Sequence, residues 1–321
     1  LQLVEEIIYR LTRDAGIQKD VKNNLKVVNL SALSEYDNDF EKNANLIYER
    51  ESKKAFNTTN RIRFKPFIAS REEFFKGAIL VENDSEYVIK DNLLFHSNLK
   101  YSLADNFDDL RFPPVDTYPA QVRSDVKQYL KNMDKGIILG RAQLDYYLNP
   151  YKNHHLMLSG GILEDMFSGY GFEYLYYEND KNYSVGFEIF DVKKRDYDWG
   201  FGTLDYENIT GHINLYYRNY GLVPFDMKLS YGEYLAGDIG TTIELSRSFS
   251  NGMNFGVFAS NTDVSAAQFG EGSFDKGIFF NIPIYGNLIN YTWRPLTKDP
   301  GAKLIRRNTL HGLLVRFKPI N

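Results

Sequence analysis

From Gly136 to the C-terminus, about ten consecutive segments of roughly ten residues each alternate polar and apolar side chains. Neighbouring side chains of a strand point to opposite faces, so such a chain must build sheet with one greasy and one hydrated face. In Thr210–Arg218, Ile213, Leu215 and Tyr217 alternate with His212, Asn214, Tyr216 and Arg218. Phe225, Met227, Leu229 and Tyr231 stand opposite Asp226, Lys228, Ser230 and Gly232, and Ile239, Thr241, Ile243 and Leu245 opposite Gly240, Thr242, Glu244 and Ser246. Met253, Phe255, Val257 and Ala259 likewise oppose Asn254, Gly256, Phe258 and Ser260.

Alternation fits either a sheet lying on a protein core or a barrel lying in lipid. Two features favour the barrel. The segments approach the 9 to 11 residues that a tilted strand needs to cross a bilayer, beyond the typical length of a soluble strand. Tyr and Phe also gather at segment ends, as at Tyr146-Tyr147, Tyr174, Tyr176-Tyr177, Tyr216-Tyr217, Tyr231 and Tyr234, where a ring with a polar tip suits the headgroup level. The chain is 15% aromatic, yet its mean hydropathy is −0.42, as expected when half of every strand is polar. No window approaches a helical span of 18 apolar residues.

The 321 residues contain no Cys, which excludes a disulfide framework and thiolate metal sites. A net charge of −4 spread over interspersed acids and bases carries no basic tract for nucleic acid. The chain begins at Leu1 without an initiator Met or a signal peptide, although an outer-membrane protein must be exported, so a longer precursor is expected.

Residues 1–55 differ from the rest. Val4, Ile7, Ile8 and Leu11 recur at helical spacing before Gly16, which predicts a helix over Leu1–Ala15, with short strands at Leu25–Ala32 and Asn45–Arg50. This makes a short α/β segment ahead of a barrel at 56–321. Barrel strands are expected from Arg61 and again at Leu93–Ser102. Residues 104–120, rich in Asp and Pro, read as a long loop. Strands resume at Val122–Leu130, Ile137–Tyr147, His155–Leu163, Gly171–Tyr177 and Tyr183–Phe190. The expected fold is an all-β, antiparallel transmembrane barrel of roughly 12 to 16 strands. Turn signals at Glu178–Lys181, Asn219–Gly221 and Ser250–Gly252 make neighbours antiparallel hairpins.

Several uncommon strings occur in fixed order: SGGILEDMFSGYGFEYLYY (159–177), RDYDWGFGTLDYENITGHINLYY (195–217), YLAGDIGTTIELSRSFSNG (234–252), FGEGSFDKGIFFNIP (269–283) and WRPLTKDPGAKL (293–304), with LADNFDD (103–109) and VRSDVKQY (122–129) upstream. Over about residues 60–318 the chain resembles the YjbH-like family of outer-membrane exopolysaccharide biosynthesis proteins. The resemblance implies an outer-membrane barrel with periplasmic α/β segments in a Gram-negative envelope. It also implies a role in making or secreting capsular or biofilm polysaccharide beside other envelope proteins. One departure is Pro300 in the last string, followed by a chain end of Phe317-Lys318-Pro319-Ile320-Asn321 instead of an aromatic strand terminus.

Polar positions predicted to face the lumen are Arg141, Gln143, Asp145, Glu173, Glu188, His212, Asn214, Lys228, Glu244 and Asn254. They either line a path for a hydrated polymer or pair across the interior and fill it. Glu271, Asp275 and Lys276, among Gly270, Gly272 and Gly277, mark a loop where backbone could approach a glycan, or a structural turn with a local ion pair. Arg195, Asp196, Asp198 and Trp199 could hold a sugar, but are expected to form a polar rim and girdle.

Catalysis is not expected. Glu164-Asp165 and His154-His155 are adjacent pairs which, if on strands, point to opposite faces. His212 with Ser184 or Ser246 lacks a nucleophile elbow, and Asp105, Asp108 and Asp109 lack EF-hand spacing. No cofactor motif is present and no metal site is expected. The reading is thus a non-enzymatic outer-membrane component of exopolysaccharide secretion that guides polymer or anchors the secretion complex, with lipid, polysaccharide and envelope proteins as partners. Its rivals are an outer-membrane polysaccharide-modifying enzyme and a soluble carbohydrate-binding β-sandwich.

Overall fold

The structure, a computed structural model, describes residues 56–67, 76–90, 92–110, 122–123, 125–178, 181–249, 251–265, 274–285, 289–294 and 301–315. The chain divides between Ala55 and Phe56 into two units. The first lies wholly outside the described residues, and with it the helix and two strands expected there.

Among the described residues, the second unit is a single antiparallel meander of thirteen strands in sequence order. They are β1 (Phe56–Phe67), β2 (Lys76–Lys90), β3 (Leu93–Asp105), β4 (Ile137–Tyr151), β5 (His154–Ile162), β6 (Phe167–Tyr177), β7 (Tyr183–Arg195), β8 (Thr203–Asn219), β9 (Phe225–Glu233), β10 (Ile239–Ser248), β11 (Asn254–Thr262), β12 (Asp275–Tyr285) and β13 (Ile289–Trp293). Among the described residues two short helices accompany them, α1 (Val126–Lys131) and α2 (Leu310–Val315).

α1 corrects the strand expected over Val122–Leu130. Val122, Val126 and Leu130 recur every four residues, as do Asp125, Tyr129 and Met133, and that spacing brings apolar side chains to one helical face. Val122, Tyr129, Leu130 and Met133 are all buried, which a half-exposed strand would not allow.

The alternation separates the two faces of the sheet as expected. In β8, Ile209, Ile213, Leu215 and Tyr217 are exposed, while Thr210, His212, Asn214 and Tyr216 are buried. Ile213 is 57% exposed and His212 only 3%, so the apolar side chains lie outside and the polar ones inside. Phe187, Leu229 and Ile243 share the outer face with Leu215. Strand pairing places Phe187 opposite Ile213, Leu215 opposite Leu229, and Leu229 opposite Ile243, which makes a continuous apolar band.

The sheet curls around its polar face. Residues 301–315 touch side chains of β2, β3, β4, β6, β7 and β8, so these strands surround one thin segment. β1 and β13 come within 8 Å of each other, Cα to Cα, yet no ladder joins them among the described residues. An odd number of antiparallel strands makes these two run in the same direction, and parallel pairing is the weaker kind. At Gly161 the bend needs glycine: φ is +122°, and a Cβ there would lie 2.2 Å from the Ala142 carbonyl oxygen.

The two ends of the sheet differ. At one, connections such as 91–92, 152–153 and 286–288 are only two or three residues long; at the other they include 68–75, 106–136 and 263–274. The described parts of the connection 106–136, residues 106–110, 122–123 and 125–136, bring apolar side chains onto the inner face. Their Phe107, Leu110, Tyr129, Leu130 and Met133 join Ala78, Leu80, Ile138, Phe190 and Val192 of the inner face in one apolar cluster.

Candidate functional site: the occupied interior

The polar inner face and the returning segment 301–315 together form the site, and three levels fill it. At the long-connection end, Arg123 is 2% exposed and pairs with Glu164 at 2.8 Å, also donating to the Lys303 carbonyl oxygen at 3.0 Å. Glu164 in turn accepts the Ile305 N–H at 2.6 Å, and Arg141 donates to the Ile305 carbonyl at 3.2 Å. Gly301 donates its N–H to Asp238 in the β9–β10 turn, and Leu235 donates to the Ala302 carbonyl.

The middle level is a buried ion cluster. Arg306 donates to Glu173 at 2.6 Å and to Glu188 at 2.7 Å, and its guanidinium lies over the Phe190 ring at 4.6 Å. Glu173 also accepts the Leu310 N–H. Two carboxylates on one guanidinium satisfy charges that would be costly to bury alone. Arg307 pairs with Asp84 at 2.8 Å, and Asn308 approaches His96 at 3.4 Å. His96 lies 3.3 Å from Asp145, which also accepts from Gln143 and Ser159. At the third level, the His311 ring stacks on Tyr216 with centroids 3.7 Å apart. Leu310 and Leu314 pack there with Met157, Leu175 and Tyr177.

Arg141, Glu173 and Glu188 thus meet the returning segment directly. His212 faces Glu188 across β7 and β8 at 3.5 Å, and Lys228 lies over the Tyr216 ring. Asn214 accepts from Ser230, Glu244 pairs with Arg294 at 2.6 Å, and Asn254 donates to Ser248. Glu271 lies outside the described residues. Asp275 and Lys276 open β12, where Lys276 is exposed beside Phe274 on the side that carries Ile278, away from the ion cluster.

Two expectations change. Glu164 and Asp165 are not strand neighbours; they sit in the β5–β6 turn, Glu164 with Arg123 and Asp165 with Lys100 at 2.6 Å and Lys65 at 3.6 Å. Burial pushes the Asp165 carboxyl up, but Lys100 and Lys65 outweigh burial and hold it well below the usual carboxylate range. Arg195 and Trp199 form no open rim. Arg195 donates to the carbonyls of Glu164, Asp165, Trp199 and Gly200, and the buried Trp199, at φ 62°, donates its indole N–H to the Tyr129 carbonyl. Its ring therefore has no free face for a sugar.

His154 and His155 go separate ways, to Tyr174 and Asn149. Ser184 sits opposite Tyr216, four residues along β8 from His212, so the two form no catalytic pair. Asp105 bonds Ser102 and the Phe107 N–H, and Asp109 pairs with Lys76. Lys303, Arg306 and Arg307 escape a reading by periodicity because their segment has none; a cluster of cations following a chain whose inner face is acidic was the available signal.

Among solved structures, OmpF of Salmonella typhi in complex with daunomycin overlaps 71% of this chain and 85% of its own at 10% identity, with a TM-score of 0.36, too low to bear on the fold. An uncharacterized lipoprotein of Escherichia coli (strain K12), YjbH, is 31% identical over 258 residues, covering 77% of this chain. The chain spans 36% of that relative's length. The YjbH profile, described as exopolysaccharide biosynthesis protein YbjH, matches residues 8–316. The chain therefore belongs to the YjbH family of exopolysaccharide biosynthesis proteins.

Proposed function

We propose that this protein is an outer-membrane β-barrel that serves exopolysaccharide secretion without chemistry of its own, as an occupied barrel anchoring other envelope proteins. The observation that carries the anchor reading is the clamp of Arg306 between Glu173 and Glu188, midway along an interior that is also packed at both ends. A path for polymer would have to break those buried pairs.

The membrane reading is supported by the outer band. Along β8 it runs from Ile209 to Tyr217, roughly 26 Å of strand at the usual rise, near the height of a barrel's lipid-facing belt once tilt is allowed for. Tyr101, Tyr170 and Tyr231 lie toward one end of the band and Tyr183 and Tyr217 toward the other, all exposed, as interfacial girdles would be. Short turns at one end and long connections at the other match periplasmic and outer faces. β1 starts at the short-turn end, which supports a periplasmic location for residues 1–55. The E. coli relative's description as a lipoprotein supports an envelope location.

The test uses a disulfide lock. A Cβ built at Gly301 lies 2.8 Å from the Ser260 Cβ, inside the roughly 3.5 to 4.5 Å of a disulfide and at φ +87°, so Ser260→Cys with Gly301→Cys cross-links the entrance of the segment only with a backbone shift of about 1 Å, and cross-linking is verified on the unreduced protein first. A deletion strain should lose surface polysaccharide, and the locked protein should restore it as well as the natural sequence does. Surface polymer unchanged by deletion would overturn the secretion role. Restoration by the locked protein only after reduction would overturn the anchor in favour of a conduit.

A further inference from the structure

We infer that the chain crosses the outer membrane once more inside its own barrel, with residues 301–315 entering at the long-connection face and bringing α2 to the periplasmic face. The inference rests on the membrane-spanning reading above. β1 starts at the short-turn end, and thirteen alternating strands bring Trp293 to the opposite end. There Gly301 takes φ +87° and is fixed to Asp238 in the β9–β10 turn, so the backbone turns inward beside Ser260.

The contacts then descend the barrel in order. Ile305 meets Glu164 in the β5–β6 turn, at the long-connection end. Arg306 meets Glu173 and Glu188, near the middle of β6 and β7. His311 stacks on Tyr216, three residues before β8 ends at Asn219, and lines a small pocket with Asn182, Arg218 and Asp226 beside the short turns. One segment therefore spans the interior from end to end. A segment threaded this way is most simply enclosed if the sheet wraps around it, and the β1–β13 seam, without a ladder among the described residues, is where such wrapping ends.

These 321 residues contain no Cys, so a single cysteine introduced into this chain is its one thiol and reports sidedness. Phe201→Cys lies in the β7–β8 connection at the long-connection end and Leu222→Cys in the β8–β9 turn, at 82% and 104% exposure; Leu313→Cys marks α2. Each full-length variant is expressed in cells, checked for heat-modifiable migration, and treated with a small membrane-impermeant methanethiosulfonate before and after outer-membrane permeabilisation. Phe201→Cys should react on intact cells, and Leu222→Cys and Leu313→Cys only after permeabilisation, with at least a fivefold rise. Gly312→Cys replaces Leu313→Cys should the latter fail to assemble. Reaction of the α2 cysteine on intact cells, or its silence after permeabilisation while Leu222→Cys reacts, would overturn the threading. Equal reaction of Phe201→Cys and Leu222→Cys on intact cells would instead overturn the membrane-spanning reading on which it rests.

Discussion

At Arg195 one buried guanidinium holds two turns together through four carbonyl oxygens, those of Glu164 and Asp165 in one and Trp199 and Gly200 in the other. The same turns bring Asp165 to Lys100 and Lys65. Because that carboxyl is held below its ordinary value, its stabilising contribution is complete above the unfolded value of about 4 and is lost as pH falls through the folded one. Urea midpoints in detergent should therefore hold from pH 6 to pH 5 and drop between pH 5 and pH 2, and Asp165→Asn should drop less over that range. On the outer face, Leu215→Arg or Ile243→Arg should cost roughly 2 to 4 kcal/mol of folding into lipid vesicles, measured by denaturant titration, because a cation at mid-bilayer loses its water. Tolerance of Arg there, with loss of folding on Lys228→Leu, would mean that the faces are reversed.

Among the elements, the strands from Ile137 onward were legible, while β2 and the returning segment were not. A side-chain period of two is a local property, so β8 could be read from His212, Ile213, Asn214 and Leu215 alone. Arg306 and Arg307 find their partners 118 to 223 residues earlier in the chain, and nothing local announces such pairs. α1 departs from the strand expected there for a related reason: a nine-residue stretch with spaced valines satisfies both periods, and burial from both sides favours helix. The polar inner positions Arg141, Glu173 and Glu188 were legible as inward, while their shared partners were not. Arg306→Met should cost about 3 to 5 kcal/mol in the same denaturant titration, because it strands two buried carboxylates. Adding Glu173→Gln and Glu188→Gln to that chain should recover most of the loss; no recovery would mean that the guanidinium acts through packing on Phe190.

At the scale of the molecule, the sheet carries a continuous apolar band on its outer face and a buried ion cluster on its inner face, with apolar clusters at the two ends of the interior. On the membrane-spanning reading proposed above, a chain so arranged is stable where hydrocarbon surrounds its outer band. The seam between β1 and β13 is its weakest line, since parallel pairing there would involve only the short β13. The most direct measurement is to refold the full chain with and without lipid vesicles and compare unboiled and boiled samples by electrophoresis, with circular dichroism for β content. The expected result is faster migration of the unboiled protein and β structure only when lipid or detergent is present. A monomeric, β-rich protein that folds in plain buffer and migrates identically before and after boiling would contradict the barrel.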